Sequence, residues 1–133
     1  EVSIGPMAHI RPDANIGANV KIGNFAEIKK ATIGNDTKIS HLSYVGDAVL
    51  GKNINLGCGF ITCNYDGINK SQTIINDNAF IGSNSSLVAP VIIGETATIG
   101  AGSVIAKEVE KDELAVARGK QRNIKNWQRP IKK

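Results

Sequence analysis

The chain has 133 residues, a length that suggests one domain. Hydrophobic residues make up 41%, enough for a core, but aromatics only 5%, which argues for many small aliphatic layers and against a globule with a bulky centre. The net charge is +4, no apolar run is long enough to span a bilayer, and no charged-then-apolar leader indicates secretion.

The first residue is Glu1, and the chain enters a repeat almost at once, so the expectation is a fragment or processed chain that lacks an N-terminal partner domain. Aliphatic anchors stand six apart at Ile4, Ile10, Ile16, Ile22 and Ile28. The series slips by one to Ile33, Ile39 and Val45, slips again to Leu50 and Leu56, and resumes at Ile75, Ile81, Leu87, Ile93, Ile99 and Ile105. Four residues after most anchors stands a small or β-branched residue, such as Ala26, Thr37, Ala79, Ser85 or Ala97. One residue after most anchors is glycine, as at Gly23, Gly34, Gly57, Gly82 and Gly100.

A period of six does not fit a helix, whose repeat is 3.6 residues, but it is three strand periods. Each glycine marks a corner where the backbone either turns or packs too closely for a side chain. Short extended segments stacked on copies of themselves build an all-β parallel solenoid over residues 1–106. Such a stack exposes a β edge at its end, so capping or oligomerisation is expected.

From Leu56 to Gln72 the beat is lost, and Asn64, Tyr65, Asp66, Asn69 and Lys70 take its place. A projecting loop is predicted at about 62–74, and a regular scaffold interrupted once by polar residues is a natural place for chemistry. Residues 107–133 are predicted to form a short charged helix over Lys107–Leu114 and then a basic arm. The arm carries Lys120, Arg122, Lys125, Arg129, Lys132 and Lys133 without an acid, and also Trp127 and Ile131, so it is expected to dock on something. Cys58 and Cys63 have no metal-motif spacing and read as a reduced thiol pair, the usual state in the cytosol. With only His9 and His41 in the chain, a three-histidine zinc site within one subunit is excluded.

Two anchors are followed by a cation where glycine is usual, Arg11 and Lys29, eighteen residues or one coil apart. The same counting, allowing for one slip, carries Tyr44 to that corner and sets Glu27 beside Lys29. A forked guanidinium, a point charge and a phenol stacked over roughly 10 Å suit an anionic, hydroxyl-rich ligand such as a sugar phosphate. A solvated charged corner is the plainer alternative. His41 lies on the adjoining edge, where an imidazole is a suitable general base, and Glu27 one coil below is placed to orient it. His9 has no such neighbours and reads as surface.

The runs HIRPDANIG, IGNFAEIKK, ISHLSYVGDA, LGKNINLGCGFITCNYDGINK and IGSNSSLVAPV, with the terminal NWQRPIKK, resemble one family across essentially the whole chain. It is the acetyltransferase domain of the bacterial bifunctional N-acetylglucosamine-1-phosphate uridyltransferase/glucosamine-1-phosphate acetyltransferase. The resemblance implies a left-handed parallel β-helix, a cytoplasmic homotrimer with sites between subunits, and acetyl transfer from acetyl-CoA to glucosamine 1-phosphate. It implies no membrane or nucleic-acid partner, and Mg²⁺ only in a uridyltransferase domain that is not in this sequence. By the same resemblance Arg11, Lys29, Tyr44 and Asn55 hold the amino-sugar phosphate, and Lys70 reaches toward the phosphate of a neighbouring subunit. His41 is then the base and Glu27 its partner. Asn64 and Tyr65 meet the thioester and pantetheine, with donors of that loop stabilising the oxyanion. Cys58, Ser83, Ala101 and Arg118 make further coenzyme A contacts. Cys58 stands where the family has alanine, Phe60 where it has threonine, and Gly119-Lys120 where Val-Pro is common. Rival readings are a hexapeptide acyltransferase for another acceptor, or a solenoid used only for assembly.

Overall fold

The computed structural model describes residues 1–133 and contains strands but no helix. Every strand pairs in parallel, with its partner about one coil away in sequence. The first face is a ladder of seven short strands: Ser3–Ile4, Lys21–Ile22, Lys38–Ile39, Asn55–Leu56, Phe80–Ile81, Thr98–Ile99 and Leu114–Ala115. The second face carries His9–Ile10, Ile61–Cys63, Ser86–Val88 and Val104–Ile105, and the third Ala14–Ile16, Thr73–Ile75 and Val91–Ile93. Two longer strands, Glu27–Ile33 and Tyr44–Leu50, run from the second face into the third without a break.

From Ile22 onward the anchors are buried as the period requires, and 23 buried apolar residues form one continuous core, while Ile4 and Ile10 in the first coil are exposed. Phe60 is fully buried, in the inward column between Ser43 and Ser85 that the ladder defines through Tyr44 N to Phe60 O and Ile61 N to Ser85 O. A ring flanked above and below by serines keeps the column filled without crowding.

The corners work differently from the glycine signal. None of the glycines that follow an anchor has a positive φ; the residue that turns the chain stands three after the anchor, as at Asp13, Asn19, Asp36, Asn53, Asn78 and Asn84. Asn and Asp tolerate this left-handed conformation best among side-chain-bearing residues. The glycines are there for close approach: a Cβ on Gly82 would lie 2.5 Å from the amide nitrogen of Ala101 in the next coil.

The two slips and the interruption share one place. Both five-residue steps, Ile28 to Ile33 and Val45 to Leu50, turn at the second corner, with Lys30 and Asp47 left-handed only two residues after the anchor. One coil later the chain leaves that corner after Cys63 and returns at Thr73, which pairs with Ala48. The loop is therefore shorter than predicted, since residues 62, 63, 73 and 74 belong to strands.

The predicted helix at Lys107–Leu114 is absent, and the coil continues instead. Val109 bridges to Ile93 and is buried as an anchor, and Leu114–Ala115 extends the first face. The charges that suggested a helix all sit at exposed positions of this last coil. Beyond it the arm has no regular structure and leaves Trp127 69% and Ile131 89% exposed. No helix is long and apolar enough to cross a membrane.

Candidate active site

The first corner stacks His41, Cys58, Ser83 and Ala101 in one column. Gly59 N donates to His41 O, Asn84 N to Cys58 O and Gly102 N to Ser83 O, each bond binding one coil to the next. At the top the guanidinium of Arg118 donates to Ala101 O at 2.6 Å. Five of the residues that the family resemblance singled out thus line one edge. Their side chains are small or exposed, and His41 stands free at the foot of the column.

The second corner gathers the cations. Arg11 N donates to Ile28 O, which stacks Arg11 one coil beneath Lys29 as predicted. Tyr44, however, is not in that register: its backbone pairs with Glu27, and Gly46 pairs with Lys29. The phenol folds back over Gly46, where any Cβ would collide with it, so Tyr44 reaches the corner by its side chain. Counting from the anchor misplaced it by two residues, because Gly46 keeps the usual glycine of the repeat.

Lys29 Nζ lies 3.6 Å from Asp47 Oδ2, and Asn64 Nδ2 donates to Asp47 Oδ2 at 2.5 Å and to Tyr44 Oη at 3.2 Å. Lys70 arrives from the loop beside Lys29. The Lys70 amine, able to accept from the Lys29 ammonium when neutral, and the charge of Asp47 hold Lys29 above its ordinary pKa despite the opposing effect of burial. Lys70 is in turn held below its ordinary value by the adjacent Lys29 ammonium. Lys30, Asp47, Lys70, Ser71 and Gln72 line a wholly polar hollow of about 220 Å³. An anion entering it would meet the ammonium groups of Lys30 and Lys70.

The loop is built to hold its shape. Tyr65 and Lys70 form an antiparallel bridge, Ser71 N donates to Asn64 O, and Asp66 Oδ1 accepts from Ile68 N and Asn69 N. These two amides lower the pKa of Asp66. The Tyr65 hydroxyl donates to Gly67 O at 2.7 Å.

Two expected neighbours are not joined. Glu27 makes no bond to His41; its carboxylate lies 3.3 Å from His9 Nδ1 and 3.9 Å from Arg11 Nη1. His9, read as isolated, is thus the in-register partner of Glu27. Asn55 lies on the first face between Lys38 and Phe80, on the far side of the His41 column from Lys29. Asp47 was missed altogether. Adding one shortened coil of seventeen residues to Lys30 lands on it, so its place opposite the cations was countable.

Residues 1–65 match the family described as GMPPB C-terminal domain, and residues 72–107 the bacterial transferase hexapeptide family of six repeats. Hexapeptide repeats are thus matched over residues 72–107. The solenoid is 64% identical over 129 residues to the bifunctional protein GlmU of Marinobacter nauticus, covering 97% of this chain and 28% of that protein. It is 62% identical over 133 residues to GlmU of Cellvibrio japonicus, covering 100% of this chain and 29% of that protein. The chain therefore spans less than a third of the curated relatives it matches, and the similarity bears out the family resemblance read from its sequence. The left-handed parallel β-helix expected for such repeats is also the fold of solved acyltransferases. PerB from Caulobacter crescentus, solved with CoA and GDP-perosamine, has a TM-score of 0.74 at 22% identity over 86% of this chain and 54% of that one. AntD from Bacillus cereus, an N-acyltransferase solved with dTDP and 3-hydroxybutyryl-CoA, has a TM-score of 0.76 at 22% identity over 86% and 77%. At that identity these two establish the fold alone.

Proposed function

We propose that the hexapeptide-repeat solenoid transfers the acetyl group of acetyl-CoA to the 2-amino group of glucosamine 1-phosphate. One observation supports this most: a single face is flanked on one edge by the cations Arg11, Lys29 and Lys70, and on the other by the column from His41 to Arg118. The first edge suits a sugar phosphate. The second suits an extended thioester, because its carbonyls are already bonded, its side chains are small, and Arg118 adds a cation at the far end. His41 stands where it can take a proton from the acceptor amine. Holding both substrates along one face turns an encounter into a positioned reaction.

Asn55 on the first face and Lys29 at the second corner do not converge within one copy. In this reading a second copy completes the site, and the working form is a homotrimer with sites between subunits. The enzyme is read as cytoplasmic, with neither membrane nor nucleic acid as partner, and its product would feed a uridylyl transfer. The test is acetyl-CoA consumption by the purified chain with glucosamine 1-phosphate beside glucosamine and a nucleotide-linked amino sugar. Turnover with glucosamine 1-phosphate well above the other two supports the assignment; preference for either rival overturns it.

A further inference from the structure

We propose that Asp47 is a positioning residue that locks the Asn64 carboxamide to the Lys29 ammonium, so that the projecting loop and the cationic corner are set as one unit. Asp47 is 8% exposed and is the only buried acid in the chain. Burying a carboxylate is costly unless it is paired, and this one is paired on both sides, by Lys29 from the coil below and by Asn64 from the loop. The five-residue step delivers it there: with Lys29 opposite Gly46, the next residue turns left-handed at φ 49° over the end of the Lys29 side chain.

The lock fixes a chemical polarity. A carboxylate only accepts, so the Asn64 atom facing Asp47 is the amide nitrogen, and its other hydrogen goes to Tyr44 Oη. Both donors of Asn64 are thereby used, and the side chain offers Oδ1 to the open site. Asn64 then presents an acceptor for an N–H group of a substrate, and the oxyanion must find its donor elsewhere. The Asp47 carboxylate, 3.6 Å from Lys29 Nζ, also favours the charged form of both Lys29 and Lys70.

The test uses Asp47→Gly, which removes the carboxylate and accepts the left-handed backbone, and Asp47→Asn, which removes only the charge. The first readout needs no substrate: nuclear magnetic resonance of the Asn64 side-chain amide in the intact chain. In the parent its two protons are expected to exchange slowly with water; in Asp47→Gly they should exchange freely while the solenoid amides stay protected. The second readout rests on the proposed acetyl transfer. There kcat/KM for glucosamine 1-phosphate should fall roughly 10- to 100-fold in Asp47→Gly, the scale of one charge-assisted hydrogen bond, and by less in Asp47→Asn. Unchanged Asn64 amide exchange in a folded Asp47→Gly chain overturns the lock, as does parental kcat/KM in that variant. A freed amide in a system where even the parent fails to acetylate supports the lock and removes the acetyltransfer reading instead.

Discussion

The guanidinium of Arg118 donates to the carbonyl of Ala101, the place that a backbone N–H from the next coil fills for His41, Cys58 and Ser83. A side chain thus finishes a ladder that the main chain began, and it leaves a cation at the end of the proposed thioester groove. Arg118→Ala should raise KM for acetyl-CoA about tenfold, the worth of a charge-assisted contact, while KM for the acceptor stays within twofold. Steady-state kinetics with each substrate varied in turn checks this; equal changes in both constants would contradict it.

Phe60 fills the middle of the core column with no exposure. Phe60→Ala should cost about 3–5 kcal/mol, as large-to-small changes in packed cores do. Urea denaturation gives the number directly. A loss below about 1 kcal/mol would mean that the serines above and below collapse into the space.

The repeat made the scaffold readable because anchors at Ile22, Ile28, Ile39 and Leu56 must face one axis if the chain coils in steps of six. The same rule located the Arg11 and Lys29 stack. It failed where side chains, not backbone, decide position: Tyr44 reaches the corner by folding over Gly46, and Glu27 turns to His9 and Arg11. The last coil was hidden because Lys107, Glu108, Glu110 and Lys111 surround a single inward valine, Val109, and a charged run with one apolar residue carries no visible period. Asp47 was hidden because the two slips looked like defects, whereas they mark the corner that holds the loop.

Thr73 has a buried hydroxyl with no hydrogen-bond partner, at the point where the loop rejoins the third face. Replacing it with an isosteric apolar side chain removes a stranded donor. Thr73→Val should leave the fold unchanged and raise stability by about 1 kcal/mol, read from the denaturant midpoint. A loss of comparable size would show that the hydroxyl is satisfied in solution.

Asp66 has its pKa lowered from 3.8 by the Asn69 and Ile68 amides. A carboxyl with a depressed folded-state pKa contributes order that is fully present above its unfolded value and is lost as pH falls through the folded value. The loop should therefore hold from neutral pH down to about 4 and loosen below it. Hydrogen exchange at Ile68 and Asn69 measures this: both amides should lose protection in acid, and at neutral pH in Asp66→Ala. Protection that survives in the variant would assign the loop's order to the Tyr65–Lys70 bridge instead.

The central claim is that one face of the solenoid carries an acetyl-transfer site with His41 as its base. The decisive measurement is CoA release from acetyl-CoA and glucosamine 1-phosphate by the parent and by His41→Ala, at matched oligomeric state. The account predicts turnover in the parent and a loss of about 10²- to 10⁴-fold in kcat for the variant, with KM for acetyl-CoA little changed. Parental kcat in His41→Ala would remove the base, and an assembled parent that releases no CoA would contradict the reaction itself.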